Sequence, residues 1–355
     1  MASSQQHSLA ILDDYANIAP KHFQHISHLK IDSFPTTLNP KDSSGLDALA
    51  ARLEPYTIIS TMRERTPFPA ALLSRLPNLK VLLTTAARNA SIDLECASQR
   101  GVVVTGTKGD QPKDPENWMD LPPEAKWTSV NQHAWALLLA LCSRLPKDDT
   151  ALKTDPEAWQ SGMMIPLGGK TLGLVGLGKL GALMAKTGAL AFGMKAIAWS
   201  ENLTQEAADA KATEAGCEKG SWRVVGKEEL FRQSDVVSVH YVLSERSRGI
   251  IGSKELGLMK SGAVLVNTSR GPLVDERALL DVLREGRIRG AALDVFDEEP
   301  LPRDSAWRSK DFKSEVVLSP HMGYVNAGTM ERWYQEQGEN VERWMRGEEL
   351  LHKMN

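Results

Sequence analysis

The chain offers little for covalent cross-linking or metal capture. Three cysteines, Cys96, Cys142 and Cys217, occur in 355 residues, too few and too scattered for a disulfide framework or a zinc site. Charge of one sign is missing as well. Against 42 Lys and Arg stand 45 Asp and Glu, a net charge of -3, with no basic surplus for nucleic acid or an anionic membrane. The longest apolar run, "HAWALLLALCSRL", is too short to cross a bilayer. The start, "MASSQQHSLAILDDY", has neither a basic n-region nor a long apolar h-region, so no secretory signal is expected. The sequons "NAS", "NLT" and "NTS" are then chance matches. G-x-S-x-G and H-E-x-x-H are absent too, which removes the usual signatures of hydrolase and metal chemistry. What these absences leave is a cytoplasmic globular protein whose partner is a small molecule.

What is present is an alternation. Apolar runs "LAILDDY", "YTIISTMR", "LKVLLTTAA" and "GVVVTGT" are separated by helical stretches such as "GLDALAARL" and "PFPAALLSRL". A second series runs from "KTLGLVGLG" through "MKAIAWS", "DVVSVHYV", "AVLVNTS" and "RGAALDVF" to "VVLSPHMG". Strand-helix alternation favours parallel sheets covered by helices, and the unbroken apolar runs suit strands buried on both faces. The expected class is therefore α/β, with two domains for a chain of this length. Between the two series lies "KGDQPKDPENWMDLPPEAKW", from Lys108 to Trp127. It is rich in proline and charge, without a period, and reads as a loop insertion or lid. "HAWALLLALCSRL" comes next as a nearly all-apolar helix, expected to be buried between domains or between subunits. A homodimer is expected from it.

The stretch "TLGLVGLGKLGALMAK" places Gly176, Gly178 and Gly181 in the pattern G-x-G-x-x-G between a strand and a helix. The first glycine permits the tight turn and the second admits a pyrophosphate. The third allows close packing of helix on strand, and the amides at Lys179 and Leu180 open the helix toward the anion. Just upstream, "GGKT" imitates a P-loop, but Met164 stands where its earlier glycine is required, so that reading is rejected. Past the next strand come Ser200 and Glu201. Glu201 is suited to ribose hydroxyls and would repel a 2′-phosphate, which favours NAD, while Ser200 at the usual acidic place leaves NADP open.

Farther on, "NTSRGPLVDE", "DVFDEEP" and "SPHMG" end apolar runs with Thr268, Arg270, Asp294, Glu299 and His321. Ligands of an open parallel sheet bind outside the carboxyl ends of its strands. A guanidinium grips a carboxylate in two places, a histidine carries a proton near neutral pH, and a neighbouring carboxylate holds that ring charged and oriented.

Together with "GLGKLG", the long run "NTSRGPLVDERALLDVLREGRIRGAALDVFDEEP" and "SPHMG" resemble the D-2-hydroxyacid dehydrogenases. "MRERTPFP" and "TTAARNASID" are similar to substrate-domain motifs of one branch of that family. The resemblance implies two Rossmann-like or flavodoxin-like domains with parallel sheets and an active site in the cleft between them. Residues 1–128 and 323–355 would form a discontinuous substrate domain, and 129–322 the dinucleotide domain. It also implies roles: Arg270 for the substrate, Glu299 pairing with the acid/base His321, and Thr268 and Asp294 on the cofactor, Asp294 at the nicotinamide carboxamide. The amides around Ala87 and Arg88 would cradle the substrate carboxylate, and Arg63 matches a substrate-facing arginine of some members. Gln132 departs from the pattern, because members often carry Glu there.

Other residues are given quieter roles. His22, His25 and His28 lack the i, i+4 spacing of a zinc-binding helix and are expected on a solvated helix face. His240 is expected to line the cofactor site without doing chemistry. The implied reaction is hydride transfer between a nicotinamide and C2 of a 2-oxo or D-2-hydroxy acid. Two rivals remain at this point: an NAD(H) sensor of the corepressor kind on the same fold, and a methyltransferase, which would have no use for Arg270, Glu299 and His321.

Overall fold

Runs such as Ile58–Thr61 and Val264–Asn267 are buried from end to end, as strands covered on both faces must be. The computed structural model describes residues 6–38, 40, 43–108 and 128–355. Apart from Lys108, the insertion expected over Lys108 to Trp127 lies outside the described residues. The chain forms two compact units, one of residues 1–125 and 326–355, the other of 126–325.

The first unit holds β1 (His7–Leu12), β2 (Leu29–Phe34), β3 (Ile58–Thr61), β4 (Val81–Thr84) and β5 (Val103–Thr105) in the order β2-β1-β3-β4-β5. All of its ladders are parallel. Between them run α1 (Ser43–Leu53), α2 (Ala70–Leu73) and α3 (Leu94–Gln99).

In the second unit, α4 (Ser129–Cys142) and α5 (Leu145–Thr154) precede the sheet. Then come β6 (Thr171–Val175), α6 (Lys179–Phe192), β7 (Lys195–Trp199), α7 (Gln205–Glu214), β8 (Trp222–Val224) and α8 (Lys227–Gln233). The series continues with β9 (Val236–Val239), α9 (Ser253–Gly257), β10 (Val264–Asn267), α10 (Glu276–Glu285), β11 (Gly290–Leu293) and β12 (Glu315–Leu318). The strand order is β12-β11-β10-β9-β6-β7-β8, again wholly parallel. Strand order reverses between β6 and β9, and ligands of such sheets bind at that switch point.

Local chemistry sets the helix limits. The Asp275 side chain accepts from the Ala278 amide to start α10, and Gly286, at φ 72°, ends it; an N-cap acceptor and a left-handed glycine are the standard terminators. The buried face of α10, Ala278, Leu279, Leu280, Val282 and Leu283, joins α8 and α9 over one side of the sheet. On the other side lie α4, α6 and α7.

Two expectations need correction. The apolar pattern of α4 points to a boundary between domains or subunits. Ala134, Trp135, Leu137, Leu138 and Leu141 instead pack into the core of their own unit, beside Leu172, Leu174 and Met184. A largely apolar helix suits the core between helices and sheet, with no second molecule needed to explain it. Nor do His22, His25 and His28 share a helix face. Only His22 belongs to a short 3-10 turn, Pro20–His22, and it is half-buried, bonded to Glu331. Glu331 lies on α11 (Ala327–Arg346), which returns to the first unit from the far end of the sequence. There Gln337 accepts a 2.6 Å hydrogen bond from Ser60, and the Met354 amide donates to Val104.

Candidate active site

At the end of β6, Gly176 turns with φ 97°, a conformation that side chains with a Cβ rarely adopt. A Cβ there would sit 2.4 Å from the His240 carbonyl oxygen, and one on Gly181 would sit 2.2 Å from that of Gly176. Both positions demand glycine. A Cβ on Gly178, by contrast, would meet nothing within 4 Å. Gly178 is the N-cap of α6 and brings no side-chain acceptor, so the first amides of α6, at Lys179 and Leu180, face outward without an intrahelical partner. Bare amides at an open approach are what a pyrophosphate requires. The residues present therefore fit a dinucleotide.

Beneath the turn, His240 is half-buried with Nε2 2.9 Å from Ser238 Oγ, and desolvation pushes its pKa down to about 4. It is neutral and structural. Ser200 is half-buried and Glu201 exposed just beyond Trp199. Trp199 stacks on Tyr241, with ring centroids 5.9 Å apart and planes 11° from parallel. Sequence reasoning misses this aromatic pair at the ends of β7 and β9; only its strand-end positions hint at it.

Thr268 and Arg270 come after β10. The Asn267 amide donates to the Arg270 carbonyl at 3.0 Å and accepts from Ser269 N at 3.0 Å, so the side chain that ends the strand fixes the loop. Gly271 must be glycine, because a Cβ would stand 2.1 Å from the Phe296 carbonyl carbon. This close approach locks the Arg270 loop to the segment leading into Glu299.

Glu299 and His321 meet directly, Oε2 to Nδ1, at 2.6 Å. The second Glu299 oxygen accepts from Phe296 N at 2.9 Å. An ionised carboxylate only accepts, so Nδ1 carries the hydrogen and Nε2 is the nitrogen able to exchange a proton. His321 has φ 56°, a left-handed conformation that costs a non-glycine residue about 1–3 kcal/mol and persists only where its surroundings impose it.

The imposing group is Asp294, which is 1% exposed. Its Oδ1 accepts from Met322 N at 2.7 Å and from the Ser319 hydroxyl, and Oδ2 accepts from Gly323 N at 2.9 Å. A further contact comes from His133 Nε2, at 3.1 Å. Burial alone would raise this carboxyl's pKa, but the bonds from His133, Ser319 and the two amides outweigh it and hold the group below its ordinary value. Asp294, assigned by resemblance to the nicotinamide carboxamide, thus already serves the His321 loop. His133 has no role in the sequence reading beyond opening a greasy helix. A lone imidazole at the head of an apolar run is the signal that could have found it.

In the first unit, Arg63 lies just past β3 at φ 48°. Its carbonyl accepts from Asn89 at 2.6 Å, and Asn89 also donates to Thr84 at 3.0 Å. Asn89 thereby joins the Arg63 loop to the loop of Ala87 and Arg88, both exposed. The Arg63 guanidinium lies 5.9 Å from the Trp333 ring centre, and Arg65 is half-buried nearby in sequence. Gln132 is exposed. Among the described residues, no group of three His, Cys, Asp or Glu is placed to hold a metal, and no helix is long and apolar enough to cross a membrane.

Comparison with known proteins agrees with this geometry. Residues 135–323 match the family described as D-isomer specific 2-hydroxyacid dehydrogenase, NAD binding domain. A glyoxylate reductase of Thermococcus litoralis is 36% identical over 284 residues, 78% of this chain and 77% of that protein. A D-3-phosphoglycerate dehydrogenase of Methanocaldococcus jannaschii is 31% identical over 290 residues, 82% of this chain but 50% of that protein. Among solved structures, a putative D-3-phosphoglycerate dehydrogenase from Ralstonia solanacearum superposes with a TM-score of 0.79 at 32% identity, covering 98% of this chain and 96% of that one. Nothing in these matches supports a corepressor-type sensor.

Proposed function

Since the chain belongs to the D-isomer-specific 2-hydroxyacid dehydrogenase family, we propose that it reduces a short, unphosphorylated 2-oxo acid of the glyoxylate class. Oxidoreduction of 2-oxo and 2-hydroxy acids with NAD is the family's activity and this chain's. The choice of acid is ours. It is supported by the likeness to the Thermococcus litoralis glyoxylate reductase, 36% identical over 77% of that protein, against 31% over 50% of the Methanocaldococcus jannaschii phosphoglycerate dehydrogenase. The Ralstonia solanacearum protein, though matched over 96% of its length, is 32% identical.

One observation carries the chemistry: the 2.6 Å contact of Glu299 with His321 Nδ1, at the strand edge that also bears the glycine turn. NADH, when bound, supplies the hydride. Gly176, Gly178, Lys179, Leu180 and Gly181 hold its pyrophosphate, Ser200 and Glu201 its ribose, and Thr268 and Asp294 flank its reactive end. Arg270 grips the substrate carboxylate and polarises the ketone. His321 Nε2 gives the proton to the forming alkoxide, while Glu299 keeps the ring oriented. The second unit is the dinucleotide domain and the first the substrate domain, where Arg63, Ala87 and Arg88 are the substrate contacts. An NADH-oxidation assay with glyoxylate, hydroxypyruvate, pyruvate, a phosphorylated 2-oxo acid and bulky 2-oxo acids, repeated with NADPH, tests this. Highest kcat/KM with a phosphorylated or bulky acid would refute the substrate class.

A homodimer and a cytoplasmic location belong to the same proposal. Leu145, Leu152, Trp159, Met163, Met164 and Leu190 are 57–87% exposed, more large apolar surface than a monomer usually leaves in water. Light scattering should give a dimer, and the pair Trp159→Glu with Met163→Glu a monomer. Three free cysteines suit a reducing compartment, which cell fractionation checks.

A further inference from the structure

We propose that His133 is a positioning residue for His321, acting through Asp294 and Ser319. The inference rests on the assignment of His321 as acid/base. His133 is the fifth residue of α4, more than a hundred residues before β10, β11 and β12. Its Nε2 is 2.8 Å from Ser319 Oγ and 3.1 Å from Asp294 Oδ1. Ser319 spends its single hydroxyl hydrogen on Asp294 Oδ1. The Ser319 oxygen and the carboxylate can then only accept, so the hydrogen between the three groups belongs to His133 Nε2. The donor count thus fixes the tautomer.

The bonds of Asp294 bracket His321. Ser319 stands two residues before it, and the amides of Met322 and Gly323 come directly after it. Of the donors to Asp294, three belong to the His321 segment itself and move with it. His133 is the fourth and comes from a separate element. It is anchored by a helix whose Ala134, Trp135, Leu137 and Leu138 are core residues of the same unit. His133 thereby ties the left-handed turn at His321 to a rigid support. Without it, Asp294 Oδ1 loses its tie to α4; the Asp294 amide still donates to the Asn267 carbonyl at 3.0 Å, but the carboxylate can rotate and carry the His321 turn with it. Displacement by an ångström is enough to slow a proton transfer greatly.

The test uses stopped-flow single turnovers of the preformed enzyme–NADH complex with glyoxylate, or with the best acid of the panel above. The rate constant counts only loaded, folded molecules, so damage to folding lowers the amplitude and leaves the rate constant alone. His133→Leu and Ser319→Ala should slow hydride transfer about tenfold to a hundredfold. His133→Gln, whose amide nitrogen restores a donor near the Nε2 position, should stay within about twofold of wild type. All three should still bind NADH, read by fluorescence, because the pyrophosphate turn is untouched. A second readout needs no turnover: in the apo-protein, 15N-histidine spectra should show His133 as the Nε2–H tautomer. They should also show the His321 ring signals displaced in His133→Leu and restored in His133→Gln.

The inference is overturned if His133→Leu reacts at the wild-type rate constant, if His133→Gln is as slow as His133→Leu, or if His133 carries its hydrogen on Nδ1. If His321→Gln is slow and His133→Leu is not, this inference alone falls. A His321→Gln enzyme as fast as wild type removes the acid/base assignment and takes the inference with it.

Discussion

The two units present the same architectural opportunity and use it differently at the end of their first strand. After β6 the chain makes the glycine turn and enters α6 with its amides bare. After β1 it meets Asp13, at φ 60°, and Asp14, both buried. Asp13 accepts from Thr37 and Thr66, and Asp14 from the Ala19 amide at 2.7 Å. The next element there is only a short 3-10 turn. A phosphate arriving at β1 would face two carboxylates; one arriving at β6 faces helix amides. Parallel sheets of similar build are thus made into different ligand edges by the few residues of the first turn, which is why site and fold must be argued separately.

The comparison can be broken most forcefully at the chemistry of the second unit. His321→Gln should lower kcat/KM roughly a thousandfold while NADH still binds, the usual scale for losing a general acid. Steady-state kinetics beside a fluorescence titration decides it, and full turnover would end the proposed proton role.

Next in size is a pH effect. His240 titrates near 4 when folded, against an ordinary 6.5, so between those values the unfolded chain binds the extra proton. Stability from this group is complete above about 6.5 and drains away toward pH 4, by up to about 3 kcal/mol. Urea unfolding at pH 7 and pH 4.5 measures the loss, which His240→Asn should flatten.

Glycine then separates the units. Gly176→Ala should cost about 2 kcal/mol and abolish tight NADH binding, since its Cβ collides with backbone. Gly101→Ala in the first unit, at φ 66° with nothing within 4 Å, should cost about 1 kcal/mol and leave NADH affinity alone. Thermal melts and NADH titrations of both variants compare them.

The smallest effect runs opposite in sign. Burial, only partly offset by Thr37, Thr66, Arg65 and Arg52, raises the Asp13 pKa. The folded state then holds the proton more tightly than the unfolded one. Its contribution grows as pH falls through the carboxylate range and is lost as pH rises. Asp13→Asn should remove that acid-side gain in unfolding curves, and a variant with an unchanged pH slope would contradict the assignment.

Local pattern carried a good deal of this. The glycine turn and the placing of Arg270, Glu299 and His321 beyond apolar strands arise from spacing and turn chemistry. The likeness of "NTSRGPLVDE" and "SPHMG" to one family, together with NAD and a 2-oxo acid, was legible too. What spacing did not disclose was partnership at long range. His133 and Asp294 are 161 positions apart, and no periodicity links an imidazole at a helix start to a carboxylate at a strand end. The apolar pattern of α4 was legible while its partner was not, because an apolar face announces burial without saying against what. His22 was misread for the same reason, since Glu331 reaches it from the returning carboxyl-terminal helix.

By itself, the amino-acid order determined the parallel α/β class, the position of the nucleotide turn and the kinds of group available for the reaction. Those depend on neighbours within a few residues: a φ that glycine permits, a cap, an apolar run. Only the folded molecule decided that His321 is held in a left-handed turn by Asp294, and that Asp294 is tied in its turn to α4. Such a constraint is made of hydrogen bonds between distant segments, and these come into being only when the sheet has brought its strand ends side by side.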